Sequence, residues 1–197
     1  MYKIIAIAGQ SGAGKDTLLR EFVKLDTDDE YIHEIISCTT RPRRQNELDG
    51  INYHFLSSEE FTAMLYDGSM IEATVFNDWC YGTSLAHLDE NKINVGVFNP
   101  EGIGILADTP NVVLYIVYVT ASDKTRLMRQ LTREENPNID EIIRRYSTDK
   151  QDFKYFKDEF LTPDNHWVVL ENEDGVDLKK AAAYILPNAI QYLDGSL

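Results

Sequence analysis

Apolar residues occur along this chain in short runs separated by stretches in which they recur at helical spacing. Residues 2–8 are almost continuously apolar and read as a buried strand. A glycine-rich turn follows, and residues 16–25 then place Leu18, Leu19, Phe22 and Val23 at helical spacing. A short strand is expected over 32–37, a loop over 38–50 and a further strand over 51–55. Ser57 and Glu60 have the spacing of a capping box, opening an amphipathic helix with Phe61, Met64 and Leu65 that ends near Gly68. Strands over 70–76 and 79–81 join at Asn77-Asp78 as a hairpin. A short helix over 84–91 and a strand over 93–98 come next, then a helix starting at Pro100, where a missing N–H costs little. Residues 112–119 form the clearest central strand. Helices over 122–131 and 139–160 flank a polar break at 132–138, and a strand over 167–170 precedes a helix over 176–193 perturbed by Pro187. Alternating strands and helices predict an α/β fold with a central, mostly parallel sheet and a small mixed lobe inserted at about 38–83.

Composition narrows the possible partners. The chain has 197 residues, enough for one domain with a substantial core, and is 43% apolar and 26% charged, as soluble globular proteins are. Its formal charge of −14 argues against nucleic acid and against an anionic membrane surface. Against that background the nine arginines are unevenly placed: Arg41, Arg43 and Arg44 sit together, and five lie from Arg126 to Arg145. Such clusters suit discrete anions. Cys38 and Cys80 have neither disulfide-framework nor zinc spacing. No apolar stretch reaches about 18 residues and no basic leader opens the chain, so a cytoplasmic location is expected.

The chemistry centres on Gly9-Gln10-Ser11-Gly12-Ala13-Gly14-Lys15-Asp16-Thr17, between the first strand and the first helix. Glycines allow the turn to aim successive N–H groups at a polyphosphate, and the helix N-terminus and Lys15 add positive charge. The spacing fits G-x-x-x-x-G-K, but Asp16 stands where Ser or Thr normally puts a hydroxyl on Mg²⁺. This is a nucleotide phosphate site.

Motifs beyond that loop resemble the guanylate kinase family: Ser37-Cys38-Thr39-Thr40-Arg41-Pro42-Arg43-Arg44, Asp49-Gly50-Ile51-Asn52-Tyr53-His54-Phe55, Ser58-Glu59-Glu60-Phe61, Ile71-Glu72 and Tyr81-Gly82-Thr83. The resemblance is strong over residues 2–83 and looser beyond. It implies a P-loop kinase fold with a core of 1–37 and 84–197, a nucleoside-monophosphate lobe at about 38–83 and a helical lid at about 129–145. It further implies ATP as co-substrate with Mg²⁺, GMP or dGMP as acceptor, and a monomer or homodimer. Arg41, Arg44, Tyr53 and Tyr81 would hold the acceptor phosphate, and Ser37, Glu72 and Thr83 the guanine. Glu72 has a rationale of its own: guanine presents two adjacent donors, N1–H and the 2-amino group, to one acceptor-only carboxylate, whereas adenine presents a lone pair at N1. Lys15 and the lid residues Arg133 and Arg145 would be catalytic, with Arg129 next and Arg144 equally suited to the helix surface.

The chain departs from the family's Arg-Gly-Thr lid sequence and from its Asp-x-Asp-x-x-Gly pattern, which reads Val97-Phe98-Asn99-Pro100-Glu101-Gly102 here. Asn99 can still donate and accept hydrogen bonds near the base or a water, and Asp16 would supply the missing acidic contact to Mg²⁺. Two alternatives accompany this reading: a kinase of the same fold for another deoxynucleotide or a phosphorylated sugar, and a non-catalytic module that binds phosphopeptides. The intact loop from Gly9 to Lys15 argues against the module.

Overall fold

A computed structural model describes residues 1–28, 30–45, 47–76, 78–133 and 135–195. Strand β1 (Tyr2–Ala8) lies at the centre of a five-stranded sheet with β2 (Ile32–Glu34), β7 (Ile93–Val97), β8 (Val112–Thr120) and β9 (His166–Glu171), in the order β2-β7-β1-β8-β9. Every pairing in this sheet is parallel. Strands buried on both faces explain the continuous apolar runs. Ile5 and Ile7 of β1 face helices α1 (Lys15–Leu25) and α7 (Leu178–Leu193), through Leu18, Phe22, Ile185 and Ala189. Ile4, Ala6 and Ala8 face the other way, toward Ile103 and Leu106 of α3 (Pro100–Asp108) and Phe156 of α6 (Phe156–Phe160). Beside these lie α4 (Asp123–Thr132) and α5 (Ile139–Asp152).

A second sheet joins β4 (His54–Phe55), β3 (Cys38–Thr39), β6 (Trp79–Ser84) and β5 (Met70–Phe76) in that order, with α2 (Ser58–Tyr66) packed on it. Here β3 runs parallel to β4 and antiparallel to β6, which is antiparallel to β5. The capping box of α2 forms as expected, Ser57 accepting from the Glu60 N–H and Glu60 from the Ser57 N–H. Asp78 has the left-handed backbone a tight turn requires (φ 62°), whereas Asn77, its expected companion, lies outside the described residues.

Several elements differ from the sequence expectation. The helix expected over 84–91 is only a 3₁₀ turn, Leu85–His87. Beyond it Asp89 and Asn94 bond local backbone groups, the Asn94 carboxamide accepting from the Asp89 N–H (2.8 Å) and donating to its carbonyl (2.8 Å). The helix expected over 139–160 is two, α5 and α6, because Phe153, Phe156 and Phe160 turn inward and the first two stack around Tyr118 at 6.0 and 4.8 Å. Pro187 sits inside α7 without ending it. The strands expected over 32–37 and 51–55 shorten to β2 and β4, residues 51–53 being held in turns by Asn52 and the Leu48 carbonyl. Among the described residues, no helix is long and apolar enough to cross a membrane.

Candidate active site

The loop after β1 opens at the centre of the parallel sheet, where β1 leads to α1 on one face while its neighbours β7 and β8 lead to α3 and, through α4 and α5, to α6 on the other, the usual place for a ligand in such folds. Its backbone admits no side chains at the tight points. A Cβ on Gly9 would lie 2.1 Å from the Val119 carbonyl oxygen, and one on Gly14 would lie 2.4 Å from Asn172 Nδ2. Gly14 is the N-cap of α1 with a left-handed backbone (φ 104°) and supplies no side-chain cap, so the first N–H groups of the helix remain available to an anion. Lys15 folds back to donate to the Gln10 carbonyl (3.3 Å). Burial lowers the pKa of its ammonium, with Arg126 and Arg145 adding to the effect and Asp16 and Asp149 opposing it. Asp16 and Thr17 are exposed on the first turn of α1. Asn172, just after β9, donates to the Ala13 carbonyl (2.7 Å) and holds the far side of the loop.

The second sheet supplies another polar cluster. Thr39 Oγ1 accepts from the Arg41 N–H (3.1 Å) and donates to the Cys80 carbonyl (2.9 Å), tying the segment after β3 to β6. That places the Arg41 guanidinium over the Tyr53 ring, 5.4 Å from its centroid, with Tyr81 edge-on to Tyr53 at 6.0 Å. Arg41 Nη2 donates to Glu47 Oε1 (2.7 Å), and Glu47 Oε2 accepts from the Arg44 N–H (2.9 Å). The Arg44 side chain is itself exposed. Burial raises the Tyr53 phenol, and the charges of Tyr81, Asp16 and Glu47 add to that, so Asp16 lies within electrostatic reach of this cluster.

The third element is a buried carboxylate. The β5 ladder shifts register between Met70 and Glu72, and the consecutive Ile71 and Glu72 are both buried. Glu72 is 7% exposed and accepts from the hydroxyl of fully buried Thr83 (2.8 Å). Burial pushes the Glu72 carboxyl up to about 7, against the Thr83 hydrogen bonds and aided by the Glu101 charge. A Cβ on Gly102 would come within 3.1 Å of Glu72 Oε2, so any side chain there would crowd the carboxylate. Asn99 sits beside it, but its oxygen caps α3 by accepting from the Gly102 N–H (2.8 Å) and its nitrogen donates to Thr74 (3.1 Å). Its hydrogen bonds thus tie the start of α3 to β5. Ser37 lies half-buried between β2 and β3, its carbonyl accepting from the His54 N–H.

Helices α4 and α5 flank the phosphate loop. Arg144 and Arg145 share Glu141, at 2.7 Å each, and diverge. Arg144 lies 5.3 Å from the Phe76 ring and within electrostatic reach of Tyr81, whereas Arg145 acts on Lys15. Arg129 Nη1 reaches the Gly12 carbonyl at 3.5 Å. Arg133, expected at the phosphates, is exposed at the C-cap of α4 and is not brought to the loop. The sequence alone singles out neither Glu47 nor Asn172, nor the roles of Arg126 and Asp149. Glu47 carries a signal in its place within the Arg-rich loop and Arg126 in the second arginine cluster; Asn172 and Asp149 are surrounded by no motif.

A phosphate-cradling loop at the centre of a parallel sheet, accompanied by an arginine–tyrosine cluster and flanked by arginine-bearing helices, is the layout of a phosphate-loop kinase. Comparison with known proteins agrees. The family model "Guanylate kinase" matches residues 1–180. A guanylate kinase of Campylobacter jejuni (strain RM1221) is 32% identical over 155 residues, 77% of this chain and 75% of the relative. One from Schizosaccharomyces pombe is 29% identical over 176 residues, 87% of this chain and 84% of the relative. The crystal structure of guanylate kinase from Anaplasma phagocytophilum shares the fold, with a TM-score of 0.61 at 19% identity, covering 97% of this chain and 85% of that one. The chain belongs to the guanylate kinase family and is a nucleotide-binding phosphotransferase.

Proposed function

We propose that this kinase transfers the γ-phosphoryl group of ATP to GMP or dGMP, giving ADP and the nucleoside diphosphate. The observation that carries the acceptor assignment is Glu72, a buried carboxylate backed by the Thr83 hydroxyl. Its two oxygens match guanine's adjacent N1–H and 2-amino donors, and a bound guanine would draw the carboxyl into its ionised form.

The protein's part in the chemistry is alignment and charge neutralisation. The loop N–H groups and Lys15 hold the ATP phosphates, and Arg41 with Tyr53 and Tyr81 holds the acceptor phosphate. Arg44 joins them from the exposed rim. Arg145 neutralises charge on the loop side and Arg144 on the acceptor side. The acceptor oxygen forms its bond to the γ-phosphorus as the bond to the β-phosphate oxygen breaks. That oxygen is already ionised, so no general base is needed. The 38–83 lobe and the 129–145 lid would close over the reactants and exclude water, limiting ATP hydrolysis.

A magnesium ion fits the residues present. Among the described residues no three acidic, imidazole or thiol groups converge as a metal cage, and Mg²⁺ on nucleotides relies on phosphate oxygens, water and one or two carboxylates. Asp16, exposed beside Lys15, would hold it, directly or through water. Bound there, the ion would supply further neutralisation of phosphate charge. The test is to follow γ-labelled ATP with GMP present: the label is expected in GDP, and label released only as inorganic phosphate would refute the transfer.

A further inference from the structure

We propose that Arg126 and Asp149 are positioning residues of the phosphate loop, gripping the backbone N–H and carbonyl of Ser11 and setting the loop against the arginine-bearing helix α5. The inference rests on the reading that this loop holds ATP. Asp149 Oδ2 accepts from the Ser11 N–H at 2.6 Å, and Arg126 Nη1 donates to the Ser11 carbonyl at 3.3 Å. The two side chains face each other at 3.7 Å, Arg126 fully buried and Asp149 7% exposed. Gln130 reaches the same Ser11 carbonyl at 3.5 Å, and Gln10 reaches the Asp149 carbonyl at 3.4 Å. Helix α4 presses close enough that a Cβ on Gly12 would lie 2.5 Å from the Arg126 carbonyl oxygen.

Stability alone is a poor account of this pair. Arg126 Nε is buried and has no hydrogen-bond partner among the described residues. An orphaned buried donor is a cost that an apolar side chain of similar volume would not carry, and buried ion pairs are commonly replaceable by apolar residues without loss. What apolar residues could not do is hold both the N–H and the carbonyl of one loop residue. The grip also extends to α5. Arg145 and Asp149 are four positions apart, on one face of that helix, and both act on Lys15. Asp123, at the start of α4, accepts from Arg126 (2.7 Å), Tyr146 (2.6 Å) and Lys150 (2.8 Å), so both helices and the loop form one network. Fixing Asp149 on Ser11 therefore also ties α5, the helix that carries Arg145, to the loop.

The experiment compares Asp149→Asn, Asp149→Ala and the double variant Arg126→Leu/Asp149→Ala with wild type, by melting and by calorimetric binding of ATP with Mg²⁺ and, separately, of GMP. Asparagine keeps an acceptor for the Ser11 N–H, so its ATP dissociation constant should stay within about threefold of wild type, while Asp149→Ala should raise it about tenfold or more. The double variant leaves no unpaired charge and should melt near wild type, yet bind ATP about as weakly as Asp149→Ala. GMP binding should stay within about twofold throughout, because Arg41, Tyr53 and Glu72 are untouched. Wild-type ATP affinity in Asp149→Ala or in the double variant would overturn the proposal. Because ATP binding is read without an acceptor, a wild type that binds ATP but leaves GMP unphosphorylated counts against the proposed acceptor and not against the grip.

Discussion

Replacing Glu72 with glutamine should stabilise the protein at pH 8 while nearly abolishing guanine recognition. The native carboxyl titrates near 7 because it is buried, against 4.5 for an ordinary glutamate. At about 1.36 kcal/mol per pH unit, ionising it inside the folded protein costs about 3 kcal/mol. The sign follows from proton counts. Between pH 4.5 and 7 the folded state retains a proton that the unfolded chain has released, so stability falls as pH rises through that window and levels off above it. Glutamine never ionises and can still accept from Thr83, so its stability should be flat over the same range. Burying its NH₂ group without a partner takes back about 1–2 kcal/mol. The net expectation at pH 8 is a gain of about 1–2 kcal/mol, or roughly 3–6 °C in melting temperature for a chain of this size. At pH 5 that gain should vanish or reverse. Urea melts of both proteins at pH 5, 6, 7 and 8 measure this directly. A stability difference that does not change with pH would show that the burial argument is wrong. The same substitution should cost about 3 kcal/mol, roughly two orders of magnitude, in kcat/KM for GMP.

Other perturbations separate the parts of the site. Gly102→Ala places a methyl 3.0 Å from Asn99 Oδ1 and 3.1 Å from Glu72 Oε2, so KM for the acceptor should rise about tenfold. KM for ATP should hold, and melting should change little because alanine's helix propensity, worth about 1 kcal/mol, offsets the crowding. Asp16→Asn and Asp16→Ser should both shift the Mg²⁺ concentration for half-maximal rate upward, by about tenfold for the amide and less for the hydroxyl. Unchanged activity and Mg²⁺ dependence in both would remove Asp16 from the metal site. Arg145→Ala should lower kcat by about 100-fold, whereas Arg133→Ala should cost less than about threefold. Equal losses in steady-state assays would mean that the segment after α4 swings over the loop during turnover.

The sequence made legible what is local. The loop from Gly9 to Lys15 and the buried strands β1 and β8 are read from contiguous residues, as is the cap at Ser57. Arg41, Tyr53, Tyr81, Glu72 and Thr83 came through short motifs, each a few residues long, and the structure brings them to one lobe. The Arg126–Asp149 grip was not legible, because it joins positions 23 apart on two helices whose polar faces look like ordinary surface. Asn172 meets Ala13 across most of the chain, with no pattern around either. The break between α5 and α6 carries no proline or glycine; aromatic packing on Tyr118, a tertiary effect, decides it. Asn99 stands out in the sequence for its polarity, but its place before Pro100 makes it a helix cap first.

The central claim, phosphoryl transfer selected by a guanine-reading carboxylate, is tested most directly by ADP formation from ATP and Mg²⁺ with GMP, dGMP, AMP, CMP, UMP and dTMP in parallel. The account predicts turnover confined to GMP and dGMP, with AMP slower by at least about 100-fold. Equal or faster turnover of AMP or of a pyrimidine monophosphate would contradict it.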